Sequence, residues 1–309
     1  MRHRTAIFTL WCSAIVGCFS LAVADAMREL VTAGYTSHIL VMPFIAAFLF
    51  WSSRKAIFEK AECSWKHAAY LLVGAFLLVL IANVFRSQFS SELFSFVSLS
   101  AALILVISGF VACYGTNGLK NARFAFLMLF LGIPIPSGVM NSVISVLQSG
   151  STGLTHLVFV VLGIPVIREG FVLSVPGATI EVAKECSGIN STIALLITTL
   201  LLAHESLQSN WHRLVLLFIA LPMSIVKNAI RIVILTMLAI RVDPSFLTGR
   251  LHHQGGFVFF LLTLAIMYPI WKMLYNREKK ARESLYTEAT SPDVETLAAS
   301  MRQSAVFRR

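Results

Sequence analysis

Residues 93–114 read LFSFVSLSAALILVISGFVACY. No charge interrupts this run. At about 1.5 Å of rise per residue it is long enough, as a helix, to cross roughly 30 Å of hydrocarbon. Similar apolar runs occur near 6–24, 37–51, 68–85, 122–135, 188–204, 213–235 and 256–275. Together they predict an all-α polytopic membrane protein with about eight transmembrane helices. The first run follows Arg2 and Arg4 and ends near Ala22-Val23-Ala24, as a signal peptide does, but it reads as a retained first span.

Composition agrees. Charged residues make up 13% of the 309-residue chain and hydrophobic residues 57%, with a mean hydropathy of +0.79 and 23 Phe. Ordinary soluble domains carry about 25% charge. So few polar groups cannot cover a water-facing surface. This excludes a soluble enzyme, a disordered chain and a nucleic-acid-binding domain. The net charge of +10 is an orientation signal, because basic residues collect in cytoplasmic loops. With the N-terminus inside, segments 1–5, 52–67, 115–123, 205–213 and 272–309 are cytoplasmic and hold 17 of the 25 Lys and Arg. Both termini are therefore expected in the cytoplasm.

Residues 136–186 break the pattern. The stretch 139–163 reads as a helix but carries Asn141, Ser142, Gln148, Ser151, Thr152, Thr155 and His156. That is too polar for a lipid-facing span, so an interfacial or re-entrant helix is expected. Next, VIREGFVLSVPGATIEVA (166–183) combines β-branched residues with a Pro176-Gly177 turn. This is a β-hairpin signal. A hairpin's edge amides would go unpaired in hydrocarbon, so this one is placed at the extracytoplasmic surface, just before the helix that starts near 188. The tail, 276–309, carries mixed charge and reads as a cytosolic helix extension that frays into disorder.

Three polar clusters stand beside or inside spans, where polar groups are costly. The first is Glu185-Cys186-Ser187-Gly188-Ile189-Asn190-Ser191. A thiol at a helix N-terminus feels the positive end of the macrodipole, which favours the nucleophilic thiolate, and Ser187 or Asn190 can cap that helix. The bland alternative is a buried cysteine beside a helix cap. The second cluster is Lys227-Asn228-Ala229-Ile230-Arg231 inside an apolar span. The i, i+4 spacing places Lys227 and Arg231 on one helix face together with Asn228. An arginine there faces a cavity and suits an oxyanion or carboxylate, unless both cations snorkel from a span that ends near 226. The third is His252-His253-Gln254-Gly255-Gly256-Phe257 before the last span. Adjacent histidines point in different directions, so at most one is expected to face a site. The topology puts all three clusters on the outer face, where a thiol, a guanidinium and an imidazole make a nucleophile, a charge stabiliser and an acid–base group. Cys12, Cys18, Cys63 and Cys113 form no CxxC pair with one another or with Cys186. No HExxH, GxSxG or phosphate-loop sequence occurs, so no metal or other cofactor is expected.

At these clusters the chain resembles the exosortase/archaeosortase family of polytopic membrane cysteine transpeptidase-like enzymes. The resemblance rests on LFLGIPIP (129–136), LGIPVIREGFVLSVPGATIEVAKECSGINS (162–191), KNAIRI (227–232) and HHQGGFVFF (252–260). It implies three parts: N-terminal transmembrane helices over 1–124, a catalytic membrane core over 125–275 and the cytosolic tail over 276–309. It implies a Cys186–Arg231–His252 site, since His252 keeps the family's spacing to Gly256 and Phe257 and His253 does not. Glu185, Ser187, Gly188, Asn190, Ser191, Lys227, Asn228, His253 and Gly256 would support it. The implied substrate is the C-terminal sorting tail of a secreted protein: a short motif such as Pro-Glu-Pro, a transmembrane helix and a basic end. The enzyme would sit in the cell inner membrane with its site facing outward, in contact with lipid and with no nucleic acid. The competing class is a non-enzymatic membrane protein, either an anion or lipid carrier using Lys227 and Arg231 or a scaffold for envelope biosynthesis.

Overall fold

The computed structural model describes residues 2–32, 37–59, 62–243, 245 and 256–289. It is a helical membrane protein with one small sheet. The chain forms two compact units, Met1–Val146 and Leu147–Arg309.

The first unit contains α1 (Arg2–Cys18), α2 (Ser20–Thr32), α3 (Ser37–Ser52), α4 (Arg54–Phe58), α5 (Trp65–Val84), α6 (Ser91–Leu131) and the start of α7 (Ser137–Val161). Helix α6 opens on Ser90, whose hydroxyl accepts from the Leu93 amide at 3.2 Å. Helix α5 presents Ala68, Ala75 and Ala82 as a buried stripe and packs on α6. Small residues let two backbones approach, which is how helices associate without a hydrophobic driving force. The approach is close enough for Ser108 Oγ of α6 to donate to the Ala68 carbonyl at 2.8 Å. Elsewhere the core is aromatic: Phe110 packs against Phe8, Phe50, Phe126 and Tyr114, around Ile57 of α4.

Spans 93–114 and 122–135 stand as two helical arms of α6 that fold back on each other at Gly115, as expected of separate spans: the Phe96 and Phe130 rings lie 6.3 Å apart and the Phe110 and Phe126 rings 5.2 Å apart. Only Gly115 departs from helical geometry, at φ 77° and ψ −179°. The intervening residues hold no proline, so helix resumes immediately after the kink. The kink needs glycine twice over: this backbone conformation is open only to glycine, and a Cβ would lie 1.9 Å from the Glu62 carbonyl oxygen.

The second unit takes over within α7 and continues through β1 (Ile167–Glu169), β2 (Val172–Val175), β3 (Ala178–Glu181), a 3-10 turn (Lys184–Ser187), α8 (Ile189–Ser206), α9 (Asn210–Arg241) and α10 (Gly256–Ala289). The expected hairpin is one half of a three-stranded antiparallel meander in the order β1-β2-β3. Its predicted turn at Pro176-Gly177 joins β2 to β3, with Val175 opposite Ala178 and Val172 opposite Glu181. A second turn at Gly170, φ 61°, adds β1 with Ile167 opposite Ser174. Leu173 and Val175 point inward and pack with Phe159 of α7 and Val233 of α9.

Helix α7, the expected interfacial or re-entrant helix, is a single 25-residue helix that by length and composition is also apolar enough to cross a membrane. Its polarity is one-sided. Gln148, Ser151, Thr152 and Thr155 are buried, while Val143, Val146, Leu157 and Val160 are exposed. Polar side chains that face protein carry no lipid penalty.

Among the described residues six helices, α5 to α10, are long and apolar enough to span, and the two arms of α6 account for two of the expected spans. The first expected span is divided between α1 and α2, and the second is the shorter apolar helix His38–Ser52. Helices α8, α9 and α10 share a core of Leu195, Leu216, Ala220, Met267 and Leu274. Helix α10 runs past the expected span end at 275. There the Glu278 carboxylate accepts from the backbone amides of Gln208 and Ser209, at 2.8 and 3.0 Å, and pairs with His212 Nδ1 at 2.7 Å.

Candidate active site

The second unit brings the Cys186 cluster and the Lys227–Arg231 cluster together. The sheet exits through Val182, whose amide donates to the Phe171 carbonyl at 2.9 Å. The chain then tightens into the 3-10 turn, closed by the Cys186 amide on the Ala183 carbonyl at 2.9 Å. Gly188 ends the turn at φ 78° and ψ 16° and is also the first residue of the α8 cap. The left-handed conformation there explains why the cap falls on Gly188 and not on the Ser187 or Asn190 side chain, as the sequence had suggested. The Gly188 carbonyl in turn accepts from Ser191 Oγ, Thr192 Oγ1 and the Thr192 amide, each at 2.9 Å. A Cβ on Gly188 would lie 3.0 Å from Asn228 Oδ1, so the turn and α9 meet closely.

Asn228 joins the elements. It is 1% exposed, and its Nδ2 donates to the Cys186 carbonyl at 3.0 Å and to Ser151 Oγ of α7 at 3.1 Å. On the preceding residue of α9, Lys227 is also buried and its Nζ donates to Ser191 Oγ on the first turn of α8. Among the described residues no carboxylate forms an ion pair with Lys227.

Cys186 and Arg231 line one cleft of ≈ 330 Å³, open mouth included. Its apolar walls are Ile180, Val182, Ile232 and Leu235, with Glu181 and Thr236 as further polar residues. The thiol and the guanidinium are close enough to interact electrostatically. Lys227 lines a second, mostly apolar cleft with Met223, Ile230, Phe259 and Thr263. The two cations still share one side of α9, as their i, i+4 spacing implies, and Lys227 stands close enough to Arg231 to feel its charge.

Of the remaining residues singled out, Ser187 is buried, Ser191 is half-buried and Asn190 is exposed. Glu185 sits in the 3-10 turn, and Gly256 is the first residue of α10. His252 and His253 lie outside the described residues. Among the described residues, no group of three His, Cys, Asp or Glu side chains is placed to hold a metal ion.

Sequence reasoning passed over four residues that the fold brings to the site: Glu181 and Thr236 in the cleft, and Ser151 and Gln148 behind it. For Gln148, Ser151, Thr152 and Thr155 the signal was available. Their i, i+3, i+4, i+7 spacing draws a polar stripe along one helix face, which implies a polar counterpart across it. For Glu181 there was none, because a glutamate ending a strand is ordinarily a solvated residue.

Comparison with curated proteins and with solved structures returns no match. The family comparison is decisive. The transmembrane exosortase family matches residues 30–269, which includes Cys186, Arg231 and His252 and begins well upstream of the runs quoted above. This multi-pass membrane chain belongs to the transmembrane exosortase family.

Proposed function

We propose that the protein is a membrane-embedded cysteine peptidase or transpeptidase that removes the C-terminal sorting tail of exported proteins. The observation that carries this reading is the single cleft lined by both Cys186 and Arg231. The substrate's tail helix lies in the bilayer beside the enzyme, and its short motif emerges at the outer interface. The Cys186 thiolate adds to the carbonyl carbon of the scissile peptide. Arg231 faces the developing oxyanion and stabilises it. The tetrahedral adduct collapses to a thioester as the C–N bond breaks, and His252 gives its proton to the leaving amine. His252 then takes a proton from the incoming nucleophile, which displaces Cys186 and releases the processed protein. The charge distribution supports an inner-membrane location with both termini cytoplasmic and the cleft open to the exterior.

Replacing Cys186 with Ala tests the reading. A co-expressed tailed substrate is expected to keep its tail, while the variant accumulates in the membrane like the parent. Continued tail removal by that variant sinks the proposal. A membrane-impermeant thiol reagent is expected to label Cys186 from outside. A carrier built on Lys227 and Arg231 would need the cations and not the thiol. The cleft that Arg231 shares with Cys186 favours the enzyme reading.

A further inference from the structure

The mechanism above leaves Gln148 without a role, yet this side chain is 6% exposed in the middle of a spanning helix. A buried carboxamide is costly unless its donors and acceptors are paired. Gln148 Nε2 donates to the Val182 carbonyl at 2.8 Å. Val182 is the last residue between the sheet and the Cys186 turn, and it already lines the cleft. Four residues on, the Cys186 carbonyl accepts from Asn228 Nδ2 at 3.0 Å. Two carboxamides from two different helices thus grip the backbone on either side of the nucleophile. The turn between them carries its own hydrogen bond, from the Cys186 amide to Ala183. An apolar side chain of the same volume would fill the site but leave the Val182 carbonyl without this donor, so the amide's partner is the segment that leads to Cys186.

We infer that Gln148 is a positioning residue for the nucleophile: with Asn228 it straps the Val182–Gly188 segment and fixes the Cys186 thiol toward Arg231. Gln148 and Ser151, the latter through Asn228, are then the part of α7 that supports the reactive turn. This inference rests on reading Cys186 as the nucleophile. Near-attack geometry is sensitive to small shifts, and a displacement of about 1 Å can cost about a hundredfold in rate.

The test uses the full-length protein in membranes. Gln148→Met keeps the volume and removes the donor. Gln148→Asn keeps the amide but withdraws it by one methylene, and serves if the Met variant fails to accumulate. Thr152→Val is the control. Thr152 is equally buried on the same helix, but its hydroxyl donates only back to the Gln148 carbonyl within α7. Two quantities are read: kcat and KM for tail removal, and the rate of maleimide alkylation at the Cys186 peptide by mass spectrometry. Gln148→Met is expected to lower kcat at least about tenfold with KM within about twofold, and to change the alkylation rate severalfold, with Gln148→Asn between it and the parent. Thr152→Val is expected to leave both readouts within about twofold of the parent. Parental kcat and alkylation in either Gln148 variant overturns the inference, and so does an equal loss in Thr152→Val. If the parent removes no tail at all, the proposed function fails. The alkylation comparison then still decides whether Gln148 positions the thiol.

Discussion

The two units bury different things. The interior of Met1–Val146 is made of small residues and rings: the alanine stripe of α5, and Phe8, Phe50, Phe110, Tyr114 and Phe126. The interior of Leu147–Arg309 keeps an apolar cluster around Leu195 and Leu216, but it also buries Gln148, Ser151, Lys227 and Asn228. Both face the same solvent, in which a polar side chain is an expense. Among the described residues the first unit buries only serines as polar side chains, Ser95, Ser98 and Ser108, so a bundle of this size needs no buried cation or carboxamide to hold together. The carboxamides and the cation buried in the second unit therefore point to a task other than stability: Gln148 and Asn228 bond the Val182 and Cys186 carbonyls, Lys227 bonds Ser191 on the first turn of α8, and Ser151 bonds Asn228.

The sharpest way to break this contrast is to remove the cation that shares the thiol's cleft. Arg231→Ala is expected to lower kcat for tail removal by about 10²–10³, or ~3–4 kcal/mol of transition-state stabilisation, as loss of an oxyanion donor does. Arg231→Lys restores only part, because a point charge does not reproduce the guanidinium fork. Thermal stability in detergent should hold or rise in Arg231→Ala, since a buried charge is removed. A cooperative loss of folding in place of a kinetic defect would show that the polar interior is structural after all.

Two of the glycines with positive φ provide the next comparison. Gly115 and Gly188 have nearly the same φ, 77° and 78°, in different surroundings. At Gly115 a Cβ would run into the Glu62 backbone oxygen, which has no rotamer to yield. Gly115→Ala is expected to cost about 2–4 kcal/mol of stability through strain and overpacking, read as a fall in melting temperature, while the fraction that folds keeps its specific activity. At Gly188 the Cβ would meet the Asn228 side chain, which can shift. Gly188→Ala should therefore cost less stability, about 1–2 kcal/mol, but displace the amide that holds the Cys186 carbonyl. Its specific activity is expected to fall about tenfold or more, in keeping with the sensitivity of reacting groups to misplacement. Equal behaviour of the two variants would erase the distinction between a structural and a functional glycine.

How far the sequence went depends on the kind of signal each region carries. Uncharged runs identify spanning helices directly, and the second half of the chain shows its helices close to where hydropathy placed them. The break between the two arms of α6 was legible in the polar stretch after residue 114; that the reversal rests on the single residue Gly115, with helix resuming directly after it, was not. The strand β1 was missed because a three-residue strand is too short for alternation to register. Cys186 and Arg231 were visible as polar residues in the wrong solvent. That Arg231 shares a cleft with Cys186 while Lys227 bonds Ser191 was not, since spacing along one helix does not name the partners on another. Gln148 was seen as a polar residue but had no partner in sequence. A side chain whose counterpart is a backbone carbonyl leaves no trace in the partner's identity.

The smallest expected effect concerns a buried charge in the second unit that has a purely structural account. Glu278 is 9% exposed, and its carboxylate accepts from two backbone amides at the start of α9 and pairs with His212. An acidic group there satisfies amides that the helix cannot pair and complements the positive end of its dipole. Glu278→Gln keeps the shape but turns one acceptor into a donor, so one of the three bonds is lost and the charge with it. The expected cost is about 1 kcal/mol, read as a small fall in melting temperature, with kcat and Cys186 alkylation unchanged. This variant marks the boundary of the functional region: a buried polar group of the second unit that acts only through stability. Should Glu278→Gln instead slow tail removal without a change in melting temperature, the polar interior would act as one coupled network, and the separation of the Cys186 surroundings from the rest of the unit would have to be abandoned.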